Sequence, residues 1–103
     1  MTLNPQQIKN TQNELQQNFE LSGLTKEQVA SDLHISLTKL NHLFTLTQSS
    51  LNDPWILRNY LTKKVEALGK KPVPFTALVG DWHQYWFLDS GLIDARKMSA
   101  GDD

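Results

Sequence analysis

Hydrophobic positions recur at helical spacing in three stretches of this chain, and the polar positions between them carry the signals that start and stop helices. In the first stretch Ile8, Thr11, Leu15 and Phe19 form one stripe among Gln, Asn, Lys and Glu. The pattern predicts a helix over 4–22 that buries a narrow face and leaves the rest wet. Asn4 is placed to cap it, Pro5 to occupy its first turn and Gly23 to close it. The second stretch, Thr25 to Thr45, reads TKEQVASDLHISLTKLNHLFT. Val29, Ala30 and Leu33 share one helical face, His34, Ile35 and Ser36 break it, and Leu40, Leu43 and Phe44 begin another. That order predicts a helix-turn-helix, with Ala30 at the close approach and Ile35 plugging the corner. Thr25 caps its first helix, with Gln28 completing a capping box, and Ser36 caps its second. His34 falls where the turn needs positive φ, which His tolerates better than most non-glycine residues.

In the third stretch Asp53-Pro54 repeats the Asn4-Pro5 signal. Trp55, Ile56, Leu57, Tyr60, Leu61, Val65 and Leu68 give a broad apolar face, and Gly69 stops a long helix over 53–69. Two prolines keep Lys71-Pro72-Val73-Pro74 extended. The remaining segment, 72–95, places Trp82, Tyr85, Trp86 and Phe87 within six residues. It fits a short helix capped by Asp81 and stopped by Gly91, or a β-hairpin wing turning at Gly80-Asp81 or Ser90-Gly91. The helix is the preferred reading. The expected architecture is one mainly α domain over 1–103: a helix-turn-helix bundle of about four helices with a short aromatic-rich C-terminal segment. The tail beyond Arg96 is expected to fray.

Length and composition narrow the chemistry. With 103 residues there is material for one core. The net charge is -1 and the pI about 6.3, whereas dedicated nucleic-acid binders often exceed about 9. There is no cysteine, which rules out disulfides, thiolate zinc sites and thiol catalysis and suits the cytosol. No apolar run reaches membrane-spanning length, and the polar first 20 residues are unlike a signal peptide, so a soluble, cytoplasmic protein is expected.

A second stripe on the second helix of the pair carries the functional expectation. Thr38, Asn41, His42 and Thr45 recur at i, i+3, i+4 and i+7, opposite the apolar residues, with Ser36 at the start and Lys39 beside them. In a DNA reader this face enters the major groove, where Thr38, Asn41 and His42 would read base edges. Lys39 would hold phosphates together with Arg58, Lys63, Lys64, Lys70 and Lys71, which outnumber Glu66 for a local balance of +4. The same cations also fit a solvated helix face with Lys63 and Glu66 paired at i, i+3. Trp82, Tyr85, Trp86 and Phe87 either roof the core or form a dimer interface or a pocket for a flat ligand. His34, His42 and His83 lack ligand spacing, so no metal is expected, and with nothing resembling a nucleophile elbow or a glycine-rich phosphate loop neither a cofactor nor enzyme activity is expected. His83 beside Asp81 is the one arrangement suited to acid–base work.

Thr25 to Thr45, DPWILRNYL at 53–61, Pro72-Val73-Pro74-Phe75 and the segment from Gly80 through YWFLD at 85–89 together carry a resemblance. The chain resembles a small family of uncharacterised bacterial proteins from Gram-positive genomes, a domain of unknown function. That resemblance implies a bacterial cytosolic protein and no particular activity. Thr25 to Thr45 also resembles the helix-turn-helix of transcriptional regulators, with His34 in place of the turn glycine and no arginine on the reading helix. The leading expectation is a dimeric DNA-binding regulator whose effector the sequence leaves open. The alternative is a protein-interaction module on the same scaffold, with Trp82, Trp86 and Phe87 as its contact surface.

Overall fold

The computed structural model describes residues 4–46, 52–78, 83, 88 and 90–94. Its helices are α1 (Pro5–Ser22), α2 (Lys26–Leu33), α3 (Leu37–Thr45), α4 (Asp53–Ala67) and a short α5 (Ser90–Asp94), with no strand among the described residues. The fold is mainly α, as the periodicity predicts. Helix boundaries follow local chemistry closely. The Asn4 side chain accepts from the Gln7 amide at 2.8 Å, and the Gln7 side chain answers from Asn4 N–H at 3.0 Å, closing a capping box. Gly23 ends α1 at φ 69°. Thr25 Oγ1 accepts from the Gln28 amide at 3.1 Å, but the Gln28 side chain donates forward to Asp32 Oδ1 at 2.8 Å. The expected box is therefore half made, because the i+4 carboxylate competes for the amide.

α2 and α3 are joined by three residues. His34 takes the left-handed conformation at φ 58°, and Ser36 caps α3 by accepting from the Lys39 amide at 3.0 Å. Ile35 N–H reaches Ala30 C=O at 3.0 Å, drawing Ile35 against the core. α4 runs past this pair and makes its most extensive contact with α1. Leu15, Val29, Leu40, Leu43, Ile56, Leu57 and Leu61 are fully buried between them. Phe19 meets Phe44 edge-on, ring centroids 5.3 Å apart.

Several expectations are corrected. Asp53 is the first residue of α4, not a cap before it: Asn52 holds the cap position but its side chain does not cap the helix, and Asp53 turns inward to Lys39. Leu68 lies past the end of α4 and is exposed, since the chain has already turned toward Gly69 at φ 75°. Gly91 lies within α5 and does not stop a helix. The face of α1 is wider than its apolar stripe. Thr11, Glu14, Asn18 and Ser22 are buried beside Leu15, whereas Ile8 and Phe19 are only half-buried.

The reason lies in the segment after α4. Asn18 Oδ1 accepts from Val73 N–H at 2.9 Å, and its Nδ2 donates to Val73 C=O at 3.0 Å and to Glu14 C=O at 2.9 Å. Glu14 then accepts from Thr76, from N–H at 3.2 Å and Oγ1 at 2.9 Å. Lys70 Nζ donates to Leu21 C=O at 3.2 Å. α1 thus grips residues 70–76 through polar groups, and Phe75 and Leu78 enter the core, joined there by Leu88 and Ile93. The aromatic cluster Trp82, Tyr85, Trp86 and Phe87, and with it the choice between helix and wing, lies outside the described residues.

Candidate functional site

The outward face of α3 is set by the residues that bury its inward face. Leu40 and Leu43 have no exposure and Phe44 very little, so Thr38, Asn41 and Thr45 are turned to solvent and His42 sits half-buried at the edge. The helix is anchored at both ends. Ser36 caps its start, and at its end Gln12 of α1 donates to Thr45 C=O at 2.8 Å, satisfying a carbonyl that has no partner within the helix. The Thr45 hydroxyl is turned back along the helix, donating to Asn41 C=O at 3.1 Å. Asn41 Oδ1 accepts from Lys26 Nζ at 3.1 Å, and that ammonium also stands 5.6 Å from the centre of the Phe44 ring. Leu37, 44% exposed, adds an apolar patch beside Thr38 and Asn41.

Lys26 is the residue that sequence reading missed. It opens α2, 15 positions before Asn41, and only the crossing of the two helices makes them neighbours. Lys39 moves the other way. Its ammonium is buried and 3.4 Å from Asp53 Oδ2, with side-chain exposures of 3% and 1%. This corrects its expected role: a lysine committed to an internal carboxylate does not reach a phosphate. Its position between Leu40 and Thr38 turns it toward the start of α4, where Asp53 supplies the charge that makes its burial tolerable.

The other cations do not form a single patch: Arg58 and Lys63 border one cleft, Lys64 lies over the Tyr60 ring and Lys70 reaches the end of α1. Arg58 is half-buried, its guanidinium 5.3 Å from the centre of the Trp55 ring and 5.5 Å from that of Phe75. Its Nε donates to Leu78 C=O at 2.8 Å and its Nη1 to Asn59 Oδ1 at 2.6 Å. Burial lowers its pKa from the ordinary guanidinium value, yet the group stays charged at neutral pH. Lys64 lies over the Tyr60 ring at 5.5 Å, on the side of α4 that faces Asp32 of α2. Lys70 is tied to the end of α1, and Lys63 and Lys71 are exposed. The expected Lys63–Glu66 ion pair is not formed. Tyr60 donates its hydroxyl to Asp32, which is the main reason the Asp32 carboxyl sits below its ordinary 3.8.

His83 Nε2 pairs with Asp94 Oδ2 at 2.7 Å, both side chains about half exposed, whereas Asp81 lies outside the described residues. No group of three or more His, Asp or Glu residues is gathered for a metal among the described residues. No helix among them is long and apolar enough to cross a membrane. What α3 offers is therefore a set of hydroxyl, amide and imidazole groups on a firmly held helix, with one ammonium beside them. The profile of a family described as "Uncharacterized protein conserved in bacteria" (DUF2316) matches residues 1–89, and the chain belongs to that family. No curated protein and no solved structure matches it.

Proposed function

We propose that this member of an uncharacterised bacterial family is a non-enzymatic, helix-turn-helix DNA-binding regulator that acts as a dimer in the cytoplasm of Gram-positive bacteria. The observation that carries the reading is the outward stripe of α3: Thr38 and Asn41 are exposed, with His42 at the edge, on a helix whose two ends are fixed by Ser36 and Gln12. A helix held at both ends and polar on its outer face is suited to insertion in a major groove. Asn41 presents an amide able to pair with an adenine edge, and Thr38 a hydroxyl for either kind of base pair. Lys26, beside Asn41, takes the phosphate-holding role for which Lys39 is too deeply buried. Lys63, Lys64 and Lys71 add weaker, more distant attraction.

The dispersal of the cations and the exposed Leu37 favour a second reading, in which the same α3 face receives a protein. A salt titration of binding to genomic DNA fragments separates the two. The regulator reading expects binding at low ionic strength that weakens steeply with salt. It also expects two copies per DNA site, with their reading helices about 34–36 Å apart. Absence of binding even at the lowest salt removes that reading and leaves protein recognition by the α3 face.

A further inference from the structure

α4 meets α2 through Tyr60, and a different side of the same helix borders a cleft of about 260 Å³ closed by α5. Arg58, Thr62, Lys63 and Glu66 line it from α4, and Ile93 and Asp94 from α5. Much of the hydrogen-bonding capacity there is unspent. Arg58 uses Nε on Leu78 and Nη1 on Asn59, which fixes the guanidinium plane and leaves Nη2 without a partner among the described residues. Thr62, Lys63 and Glu66 make no side-chain hydrogen bond or ion pair with any described residue. Asp94 brings a second carboxylate, itself engaged by His83.

The charges on the walls decide what fits. Among the described residues the walls carry two cations and two carboxylates, so a simple anion drawn to Arg58 and Lys63 is opposed by Glu66 and Asp94. A molecule with both a carboxylate and an ammonium meets complementary charge at each end. From Arg58 to Glu66 the helix rises about 12 Å, so the two charges of the ligand must stand several bonds apart. Ile93 contributes apolar atoms to the wall of the cleft between them. We propose that the cleft between α4 and α5 binds a small ω-amino carboxylate. Its carboxylate lies on Arg58, Thr62 and Lys63, and its ammonium on Glu66 and Asp94. This site stands independently of whether α3 reads DNA.

The experiment is a nitrogen-15 NMR titration of the full chain with 5-aminopentanoate at low ionic strength, with acetate, glycine and inorganic phosphate as comparison probes. Saturable shifts are expected in the amides of 58–66 and 90–94, with the three comparison probes at least about tenfold weaker, as loss of one charge-assisted contact implies. Lys63→Met and Glu66→Gln alter exposed side chains outside the core. Each is expected to weaken 5-aminopentanoate about tenfold with an unchanged thermal melt. Acetate or phosphate binding as tightly as 5-aminopentanoate, full affinity in Glu66→Gln, or no saturable shift at all would each overturn the assignment.

Discussion

Asn18 shows how one side chain does the work of a strand edge. Its amide supplies both an acceptor and a donor to Val73, so a backbone segment that joins no strand among the described residues is still paired on that side. Asn18 is fully buried and Val73 partly so, and Asn18→Ala removes the side chain that pairs both Val73 N–H and C=O. The expected loss is about 1–3 kcal/mol in urea unfolding. Tyr60 carries a different signature. Folding acidifies Asp32, chiefly through the Tyr60 hydroxyl, and such a carboxyl adds stability above its unfolded pKa that disappears as pH falls through the folded one. Tyr60→Phe is therefore expected to lower the melting temperature near neutral pH, with the gap to the native protein closing as pH drops below 3.8. A gap that stays constant into acid would show that the hydroxyl acts through packing alone.

The helices differ in how they are fixed to one another, and α3 combines an apolar and an ionic anchor. Its inward face meets the core through Leu40, Leu43 and Phe44, and its first turn is bound to the start of α4 by the buried Lys39–Asp53 pair. Breaking such a pair from one side strands a charge, so Lys39→Met is expected to cost about 3–5 kcal/mol by chemical denaturation. Lys39→Met with Asp53→Asn should recover a measurable part of that loss, and a strictly additive double mutant would mean that the two groups do not interact. At this scale the sequence was legible wherever the cause was local. Asn4, Thr25, Ser36, Gly23 and Gly69 mark helix ends through contacts only a few residues long, and His34 takes the positive φ expected of it. Glu14, Asn18 and Lys39 were not legible. Each is a polar residue that periodicity assigns to water, and each is buried because its partner arrives from a distant position: Val73 and Thr76 for the first two, Asp53 for the third.

Across the molecule, charge placement matters more than charge count. The excess of cations between Arg58 and Lys71 reads in sequence as one basic patch, but the fold distributes it among Trp55 and Phe75, Tyr60 and the end of α1. A DNA complex built on α3 would thus neutralise few phosphates. Each phosphate contact contributes a slope of about -0.9 to the dependence of log affinity on log salt, so a shallow total slope is expected. Lys26→Ala should reduce it by about one such step, while Asn41→Ala should leave the slope alone and narrow the gap between sites. The candidate stripe on α3 could be named from the sequence because helical spacing alone defines it. Its neighbour Lys26 and the cleft beside α4 depend on how elements meet.

The proline on either side of Val73 gives the docking of this segment a further property. Asn18 needs an N–H opposite its oxygen, and a slip of one residue in either direction would offer it Pro72 or Pro74, neither of which has one. The segment is therefore keyed to α1 in a single register, like a notch that accepts one tooth. Any lengthening of the chain between Gly69 and Pro72 would have to bulge outward and could not be absorbed by sliding.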